Sequence, residues 1–358
     1  MPILPSDALE ALVTLVLRRM GSSDEEAHEV ADHLVRSSLS GHDSHGVGVL
    51  PGYVARFEEG LVVPNQTLRP LADSGAVLLF DAARGFGQRM AAEAVRAAVA
   101  RARDLGACVV GLRNSAHIGR VGTYAEQCAE AGMAFTAFVN VADHQPFQAP
   151  WGCRDGRLGT NPFCAAVPGA DGPALMLDIA TTTIAYGKAR VAHEGGFPVP
   201  EDAMINAEGR RSGDPTDLLV HGQGALASFG RHKGSGLAVL CEALGAVLTG
   251  GQRADEPQRG GVLNSMLAVV IDVGRFGDPG DIAGGFEAIR THVKQSRPAA
   301  DADAILLPGE PERRSTVRRR QDGIPVAQVS WDAIRAAAAR LGVTEAEIGQ
   351  VLAPDPGR

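Results

Sequence analysis

Between residues 75 and 300, short apolar runs alternate with longer stretches of helical periodicity, and this alternation constrains the fold more than any other feature of the sequence. The apolar runs have strand length and are rich in β-branched residues: AVLLF, ACVVGL, AFTAFVNV, ALMLDIA and MLAVVIDV. Helical stretches lie among them, notably GQRMAAEAVRAAVARARDLG and GLAVLCEALGAVLTGG. The pattern predicts an α/β fold whose centre is a sheet covered by helices.

Both ends of the chain are predicted to be helical. Ser23 followed by Glu26 has the spacing of a capping box, and WDAIRAAAARLG is a helix ended by Gly342. We therefore expect a helical domain made of residues 1–74 with 298–358, and a central α/β domain of residues 75–297. The polar segments QRADEPQRGG and RSTVRRRQDG are predicted to be solvent-facing loops.

Composition narrows the class of protein. The net charge of −8 argues against a nucleic-acid or anionic-membrane partner. No apolar run reaches the roughly 20 residues of a membrane span, and the first residues lack the pattern of a secretory signal. The five cysteines contain no CxxC pair, which disfavours structural zinc and a disulfide framework. These features favour a reducing, cytoplasmic environment.

One segment resembles a dinucleotide-binding fingerprint and is not expected to act as one. Gly222, Gly224 and Ala227 match the GxGxxG/A spacing, with Glu242 about twenty residues further on. The fingerprint needs a strand before it and a helix beginning within it, so that the helix N-terminus faces the pyrophosphate. Here glycines interrupt any helix until about Leu237. A nicotinamide cofactor would therefore need another architecture.

The block GHDSHGVGVLPGY follows the second predicted helix and concentrates polar side chains among glycines. His45 beside Ser44 could act as a general acid/base, because an imidazole gains or loses a proton near neutral pH. The same side chains could instead cap the carbonyls at the end of the helix. His42 and His45 could also bind a metal ion. The residues alone leave these three interpretations open.

Three further blocks carry candidate site residues. The segment NSAHIGRVGTYAEQ forms a strand–glycine turn–helix, which is either an anion cradle or an ordinary turn. Asp178 ends an apolar strand, where a buried carboxylate needs a partner such as a histidine or the next helix. His232 and Lys233 precede a helix and suit contacts to phosphate or carboxylate.

Taken in order, these blocks resemble the malate/L-lactate dehydrogenase family with a non-Rossmann fold. The resemblance rests on HDSHG with LP, NSAHIGRVG, GTNPFC, LDIATTTIAYGK, HKG and ILLPGE, and extends from about residue 6 to 350. It is strongest for the hydroxycarboxylate dehydrogenase B group. It implies an NAD(P)-dependent oxidoreductase that interconverts 2-oxo and 2-hydroxy acids. It also implies a homodimer in which NAD or NADP lies on the central α/β domain.

The resemblance also assigns expected roles. His45 would protonate the substrate carbonyl, Asp178 would be its partner, and His117 is a rival acid/base. Expected cofactor contacts are His45, Gly119, Arg120, Val121, Leu177, Asp178, Ile179, Ala180, His232, Lys233, Asn264, Gly309, Glu310, Pro311 and Glu312. Expected substrate contacts are Ser44, Arg56 and Thr160, and no metal ion is expected.

One departure from the family bears on the substrate. Malate-type members commonly carry an arginine two or three residues after SHG, where this chain has Gly48 and Val49. Without that guanidinium, substrates with one carboxylate and an apolar or aromatic tail, such as phenylpyruvate or hydroxyphenylpyruvate, are favoured, with 2-oxoglutarate also considered. Arg56 or Arg120 could compensate. Malate, lactate, ureidoglycolate and piperideine-2-carboxylate activities, or a non-catalytic nucleotide-binding role, remain alternatives.

Overall fold

The computed structural model describes residues 1–170 and 172–353. The α-helices are α1 (Ser6–Arg19), α2 (Asp24–Leu39), α3 (Leu50–Glu58), α4 (Gly87–Leu105), α5 (Gly122–Glu130), α6 (Tyr186–Gly195), α7 (Thr216–Leu219), α8 (His232–Cys241), α9 (Pro279–Lys294), α10 (Glu310–Asp322), α11 (Gln328–Arg340) and α12 (Glu345–Leu352). Single 3₁₀ turns cover Asp43–His45, Val47–Val49 and Val273–Arg275, and a π-helical segment, Glu242–Val247, continues α8.

The strands are β1 (Ile3–Leu4), β2 (Arg69–Ser74), β3 (Val77–Asp81), β4 (Ala107–Ala116), β5 (Met133–Ala142), β6 (Phe163–Gly169), β7 (Gly172–Ile179), β8 (Met204–Ile205), β9 (Arg211–Ser212), β10 (Ala225–Leu226), β11 (Leu263–Asp272) and β12 (Ile324–Pro325). In the described residues, seven of them form the main sheet in the order β2-β3-β4-β11-β5-β6-β7. Only β3 and β4 pair in parallel within it. This largely antiparallel order differs from the parallel sheet of a Rossmann fold.

Helices cover both faces of the main sheet. Alternate residues of β5 pack with α4 in the larger apolar core, as the two-residue period of a strand requires. On the other face, the π-helical segment crosses β5 and β11 closely, because Gly245 has no side chain. A Cβ there would lie 2.9 Å from the amide nitrogen of Asn140. The sheet is therefore the rigid base on which the candidate site is built.

A second apolar core joins the two ends of the chain. Helices α1, α2, α3, α11 and α12 contribute its buried side chains, and β1 pairs with β12. We propose the division into a helical domain from both termini and a central α/β domain. Its first boundary moves to precede Arg69, because β2 pairs with β3 in the main sheet. Residues 354–358 of the expected helical domain lie outside the described residues.

The five apolar runs predicted as strands are strands, and both long stretches predicted as helices are helical. The prediction of a loop at RSTVRRRQDG is wrong, because these residues belong to α10. Helix α10 is almost entirely polar, with only Ser315 buried, so it shows no apolar period. Polar contacts hold it instead. Arg319 donates to the carbonyl of Ser38 and pairs with Asp43.

Candidate active site

His45 sits in the 3₁₀ turn directly after α2, held by close backbone packing. Its Nδ1 lies 3.0 Å from Ser44 Oγ, and the ring is half-buried. The next residue must be glycine, because a Cβ on Gly46 would clash with the side chain of Ser38. The Ser38 hydroxyl accepts a hydrogen bond from the amide of Val47 at 3.1 Å. The turn after α2 thus presents the His45 ring in a fixed direction.

His117 follows the end of β4 and faces His45 across the junction of the two cores. The two imidazole rings stack at a centroid distance of 5.5 Å with 21° between their planes. Tyr53 Oη lies 2.7 Å from His117 Nδ1. Neither His45 nor His117 forms a hydrogen bond through Nε2 to any residue of the described chain. The pair therefore offers two ring nitrogens for an external ligand.

The electrostatic surroundings keep both imidazoles neutral in the free chain. Burial, with help from His42 and Arg120, lowers the pKa of His45 from 6.5 to about 4. Burial lowers the pKa of His117 well below 6.5, and His45 and Arg56 act in the same direction. A neutral imidazole has a free lone pair, which is the form needed to accept a proton from an alcohol.

Arg56 supplies a cation beside this pair. Its Nη1 donates to the carbonyl of Gly52 at 3.1 Å, while its buried Nε has no partner in the described structure. No carboxylate within the described residues pairs with it. A guanidinium left without an acid at a partly buried position suits an anionic ligand. This agrees with the expected substrate contact at Arg56.

Sequence patterns missed a second set of side chains at this junction. Burial lowers the pKa of His144, and Arg56 contributes to the shift. The His144 ring stacks on Phe147 at 4.6 Å, and Phe147 stacks on Tyr186 at 4.1 Å. The three half-buried rings of His144, Phe147 and Tyr186 form an aromatic column, which borders the side of the site where Arg56 lies. His144 and Phe147 lie in the loop after β5 and Tyr186 begins α6, so local spacing could not show that the three rings stack.

The structure does not bring Asp178, the expected partner of His45, into contact with that histidine. Asp178 Oδ2 accepts a hydrogen bond from the amide of Gly122 at 2.7 Å and lies 3.8 Å from Arg120 Nε. Burial raises the pKa of Asp178, and Arg120 opposes that shift. A buried carboxylate at a strand end needs compensating donors, and here the start of α5 provides them. In this structure, the partner of His45 is Ser44.

The turn from Gly119 to Gly122 was one candidate for an anion cradle, and the protein fills it itself. The amide of Gly122 binds the Asp178 carboxylate, and the amide of Arg120 donates to His33 Nε2 at 3.0 Å. Gly119 needs its positive φ of 72°, and a Cβ there would clash with His33. Internal acceptors occupy these two amides, which favours the ordinary turn of the two interpretations that the sequence left open.

The structure buries the side chains of three expected cofactor contacts, Arg120, Val121 and Asn264. The Arg120 side chain is 1% exposed and pairs with Glu126 at 2.8 Å, and Val121 is buried in the larger core. Asn264 is also buried. Its Oδ1 accepts from the amide of Ile118 and its Nδ2 donates to the carbonyl of Asn140, both at 2.9 Å. These side chains fix the turn that carries His117 and are inaccessible to a ligand.

The other expected cofactor residues meet along one edge of the sheet. The carbonyl of Pro308 accepts from the amide of Met176 at 3.2 Å, which brings residues 309–312 beside residues 177–180. After β7, the amide of Phe229 donates to the carbonyl of Thr181, so the segment leading to His232 runs alongside. Leu177 is 40% exposed, and both His232 and Lys233 are exposed. This edge is open to a ligand.

Three further expected site residues have defined contacts in the structure. Ser44 lies against α6, since a Cβ on Gly187 would be 3.3 Å from Ser44 Cβ. Thr160 uses its carbonyl to accept from the amide of Thr181 at 3.0 Å, so it supports the chain leading from β7. Glu310 binds the amide of Leu307 and pairs with Lys294, which holds the loop before α10.

Two alternative interpretations of the sequence motifs are tested by geometry. His42 Nε2 lies 3.2 Å from Glu312 Oε1, whereas His45 binds Ser44, so the two rings engage different partners. At the GxGxxG-like segment, Gly222 and Gly224 lead into the two-residue strand β10, and the next helix begins only at His232. The segment lacks the strand–turn–helix geometry of a Rossmann loop, as expected.

Comparison with known proteins identifies the relatives of this fold and site. The family described as malate/L-lactate dehydrogenase matches residues 4–335. The chain belongs to this family. Hydroxycarboxylate dehydrogenase B of Escherichia coli is 41% identical over 344 residues, covering 95% of this chain and 94% of the relative. L-lactate dehydrogenase of Cupriavidus necator is 37% identical over 324 residues, covering 88% and 91%.

A solved structure gives the same result. The structure of a putative malate/lactate dehydrogenase from Escherichia coli superposes with a TM-score of 0.93 at 39% identity, covering 98% of both chains. The chain is therefore a 2-hydroxyacid dehydrogenase of the malate/L-lactate dehydrogenase family. Within the described residues, no helix has both the length and the apolar character needed to cross a membrane.

Proposed function

We propose that this dehydrogenase uses NAD or NADP to interconvert 2-oxo acids and 2-hydroxy acids, with His45 as the acid/base. One observation carries the proposal. The stacked His45 and His117 rings present two free Nε2 atoms beside Arg56, a guanidinium with no acid partner in the described chain. A 2-oxo acid has a carboxylate next to a carbonyl, so it matches one cation beside one proton donor.

The open edge formed by residues 177–180, 309–312 and 232–233 fits a nicotinamide dinucleotide. The exposed Lys233 supplies a cation for phosphate, and His232 lies edge-on to Trp151 at 6.3 Å. Hydrophobic surface at Leu177 suits a flat ring. The bound cofactor supplies or accepts the hydride. These residues would hold the cofactor. The buried contacts around Asp178 and Arg120 would keep this edge of the sheet in position.

The residues of the chain perform the remaining steps. Arg56 binds the substrate carboxylate and so orients the carbonyl towards the histidine pair. In the direction of oxidation, neutral His45 accepts the hydroxyl proton through Nε2, while Ser44 stabilises the ring through Nδ1. In the direction of reduction, protonated His45 returns that proton to the carbonyl oxygen. The nearby substrate carboxylate favours this protonated form, because opposite charges attract.

The charged and aromatic side chains near the histidine pair support a narrower substrate class. Arg120 was one candidate for binding a second carboxylate, but its guanidinium is buried against Glu126 and Asp178. With Gly48 and Val49 in place of the arginine typical of malate-type members, Arg56 is the accessible guanidinium beside the histidine pair. The aromatic column of His144, Phe147 and Tyr186 offers a stacking surface for a substrate tail. Aromatic 2-oxo monocarboxylates therefore fit better than malate.

A homodimer is part of the proposal. Helix α8 and its π-helical extension turn a stripe of large apolar side chains towards solvent, with Val239, Leu240, Val247 and Leu248 each more than half exposed. Their spacing places them on one side of a helix whose other side packs on the sheet. A contiguous exposed apolar face of this kind marks a protein interface. We assign it to a second copy of this chain.

The proposal is tested by initial-rate measurements with reduced NAD and NADP and a panel of 2-oxo acids. The panel contains phenylpyruvate, hydroxyphenylpyruvate, 2-oxoglutarate, pyruvate and oxaloacetate, with the cyclic imine piperideine-2-carboxylate for comparison. We expect the highest kcat/KM for the aromatic monocarboxylates. Absence of turnover with every 2-oxo acid, despite cofactor binding, would refute the proposal. Turnover of the imine alone would instead identify an imine reductase.

A further inference from the structure

Two buried side chains, Tyr53 and Gln88, form a hydrogen-bonded pair next to His117, and the mechanism proposed above gives them no role. Tyr53 Oη lies 2.7 Å from His117 Nδ1 and 2.6 Å from Gln88 Nε2. Tyr53 belongs to α3 and Gln88 to α4, and their side chains are 3% and 1% exposed. The Phe86 and Tyr53 rings pack edge to face with their centroids 6.1 Å apart, and this contact further restricts Tyr53. The two side chains form a rigid polar support in an apolar setting.

We propose that Tyr53 and Gln88 are positioning residues that hold His117 as a neutral imidazole with its proton on Nε2. His117 then donates a hydrogen bond to the substrate oxygen, while His45 transfers the proton. The inference rests on the proposed function and divides the work between two histidines that the sequence motifs leave as rivals.

The hydrogen bonds of Tyr53 favour one tautomer of His117. The Gln88 amide donates one N–H to Tyr53 Oη, which leaves the single phenolic proton for His117 Nδ1. A neutral imidazole whose Nδ1 accepts a hydrogen bond carries its own proton on Nε2. Burial raises the pKa of Tyr53, so the phenol keeps this proton throughout the working range. Tyr53 therefore remains a donor at every relevant pH.

The groups around His117 favour the same neutral state. Arg56 on α3, His45 in the 3₁₀ turn, His33 on α2 and His144 after β5 all face it, and they lower its pKa together with burial. None of these groups is an acid that would stabilise an imidazolium. His117 is thus a poor source of a proton and a good fixed donor, which stabilises negative charge developing on the substrate oxygen during reduction.

His45 has a different kind of support. Its Nδ1 contacts the Ser44 hydroxyl, which can rotate to donate or to accept. Both the neutral and the protonated ring are therefore compatible with Ser44, as a proton-transferring group requires. Tyr53 lacks this freedom because Gln88 fixes its hydrogen bonding. The contrast between a rotatable and a fixed hydroxyl is the structural basis for assigning different roles to the two rings.

The first test uses two substitutions. Tyr53→Phe keeps the ring packing and removes the hydroxyl. In Gln88→Glu, the carboxylate would accept a hydrogen bond from the phenol, which would reverse the direction of the hydrogen bond between Tyr53 and His117. Gln127→Glu is the matched control, since Gln127 on α5 donates to the carbonyl of Ala92 on α4 and has no contact with Tyr53 or His117 in the described structure. We expect kcat/KM for reduction to fall about tenfold or more in both site variants, in line with the loss of one hydrogen bond. The control should retain wild-type kinetics, and cofactor affinity should be unchanged in all three.

The second test is NMR of protein labelled at the histidine ring nitrogens. The wild type should show protonated Nε2 and unprotonated Nδ1 for His117, and Gln88→Glu should reverse this. This measurement needs no turnover, so it separates failure of the inference from failure of the proposed function. A wild-type His117 protonated on Nδ1, or Tyr53→Phe with unchanged kinetics and spectra, would overturn the inference.

A matched pair of substitutions tests the division of roles. Glutamine carries an N–H donor near the position of imidazole Nε2 but cannot exchange a proton near neutral pH. His117→Gln should therefore keep a substantial part of kcat, whereas His45→Gln should lose it almost completely. Equal losses in the two variants, or a greater loss at His117, would contradict the assignment.

Discussion

His45 combines a free ring nitrogen with a pKa lowered to about 4, and together these predict its pH behaviour. The value of kcat/KM reports ionisations of the free enzyme, and oxidation of a 2-hydroxy acid needs the neutral base. We expect kcat/KM for oxidation to be nearly constant around neutral pH and to fall as pH falls towards about 4. Initial rates measured downward from neutral pH, with circular dichroism to verify folding, check this. A rate that rises on acidification would exclude His45 as the base.

Replacing the ring gives a second expectation for the same residue. His45→Ala should lower kcat by about two to four orders of magnitude, the usual contribution of a general acid/base. Reduced-cofactor binding, measured by fluorescence, should change only slightly, because the mutation removes no residue of the open edge. His28→Ala is the control, since His28 is exposed on α2 and pairs only with Glu10. Near-normal activity of His45→Ala would transfer the acid/base role to His117.

At the scale of single residues, the sequence predicts site residues that are adjacent in one polar block. It does not predict site residues that only folding brings together. Ser44 and His45 could be predicted because they are neighbours. Tyr53 and His117 are separated by 64 residues, and Gln88 joins them from a third element. Asp178 was recognised as a carboxylate that needs donors, but no local pattern indicates which donors the fold supplies.

The turn between β4 and α5 shows how elements place the site. Its conformation depends on Gly119, on the His33 ring of α2 and on Asp178 of β7, so two other elements fix one short connection. Sequence predicted the strand, the turn and the helix correctly. It could not predict that the turn binds the protein's own carboxylate, because β7 follows it in sequence by more than forty residues.

Substitutions at two glycines test how much the close packing of Gly119 against His33 affects the free energy of unfolding. Gly119→Ala and Gly132→Ala both place a side chain at positive φ, at 72° and 77°, which costs about 1–2 kcal/mol. Only at Gly119 does the added Cβ clash with His33; at Gly132 nothing lies within 4 Å. Urea denaturation should show a further loss of at least about 1 kcal/mol for Gly119→Ala. Equal losses in the two variants would contradict the proposed contact.

For the whole molecule, the sequence predicts an α/β centre and helical ends, and the structure confirms the α/β fold. The order of strands could not be predicted, because β11 enters between β4 and β5 from more than a hundred residues away. The exposed apolar face of α8 and its π-helical extension could not be predicted either, because only the assembled sheet decides which of their apolar side chains face solvent.

The proposed dimer can be tested with one charged substitution. Val247→Asp, in the apolar stripe, should convert the dimer to a monomer, because a carboxylate cannot be buried there without a partner. Val317→Asp is the control: Val317 is 70% exposed on α10, away from the stripe. Light scattering should give a halved mass for the first variant and an unchanged mass for the second. A wild-type monomer, or a dimer that survives Val247→Asp, would contradict the assignment of this face.

Direct hydride transfer is the central claim, and isotope transfer tests it most directly. Reduced cofactor carrying deuterium at C4, on each face of the ring in turn, is incubated with phenylpyruvate and the enzyme, and the product is examined by mass spectrometry. The account predicts that one of the two labelled cofactors delivers its deuterium to C2 of the 2-hydroxy acid, and that His45→Ala suppresses this transfer. A 2-hydroxy acid formed without deuterium from either cofactor would contradict it.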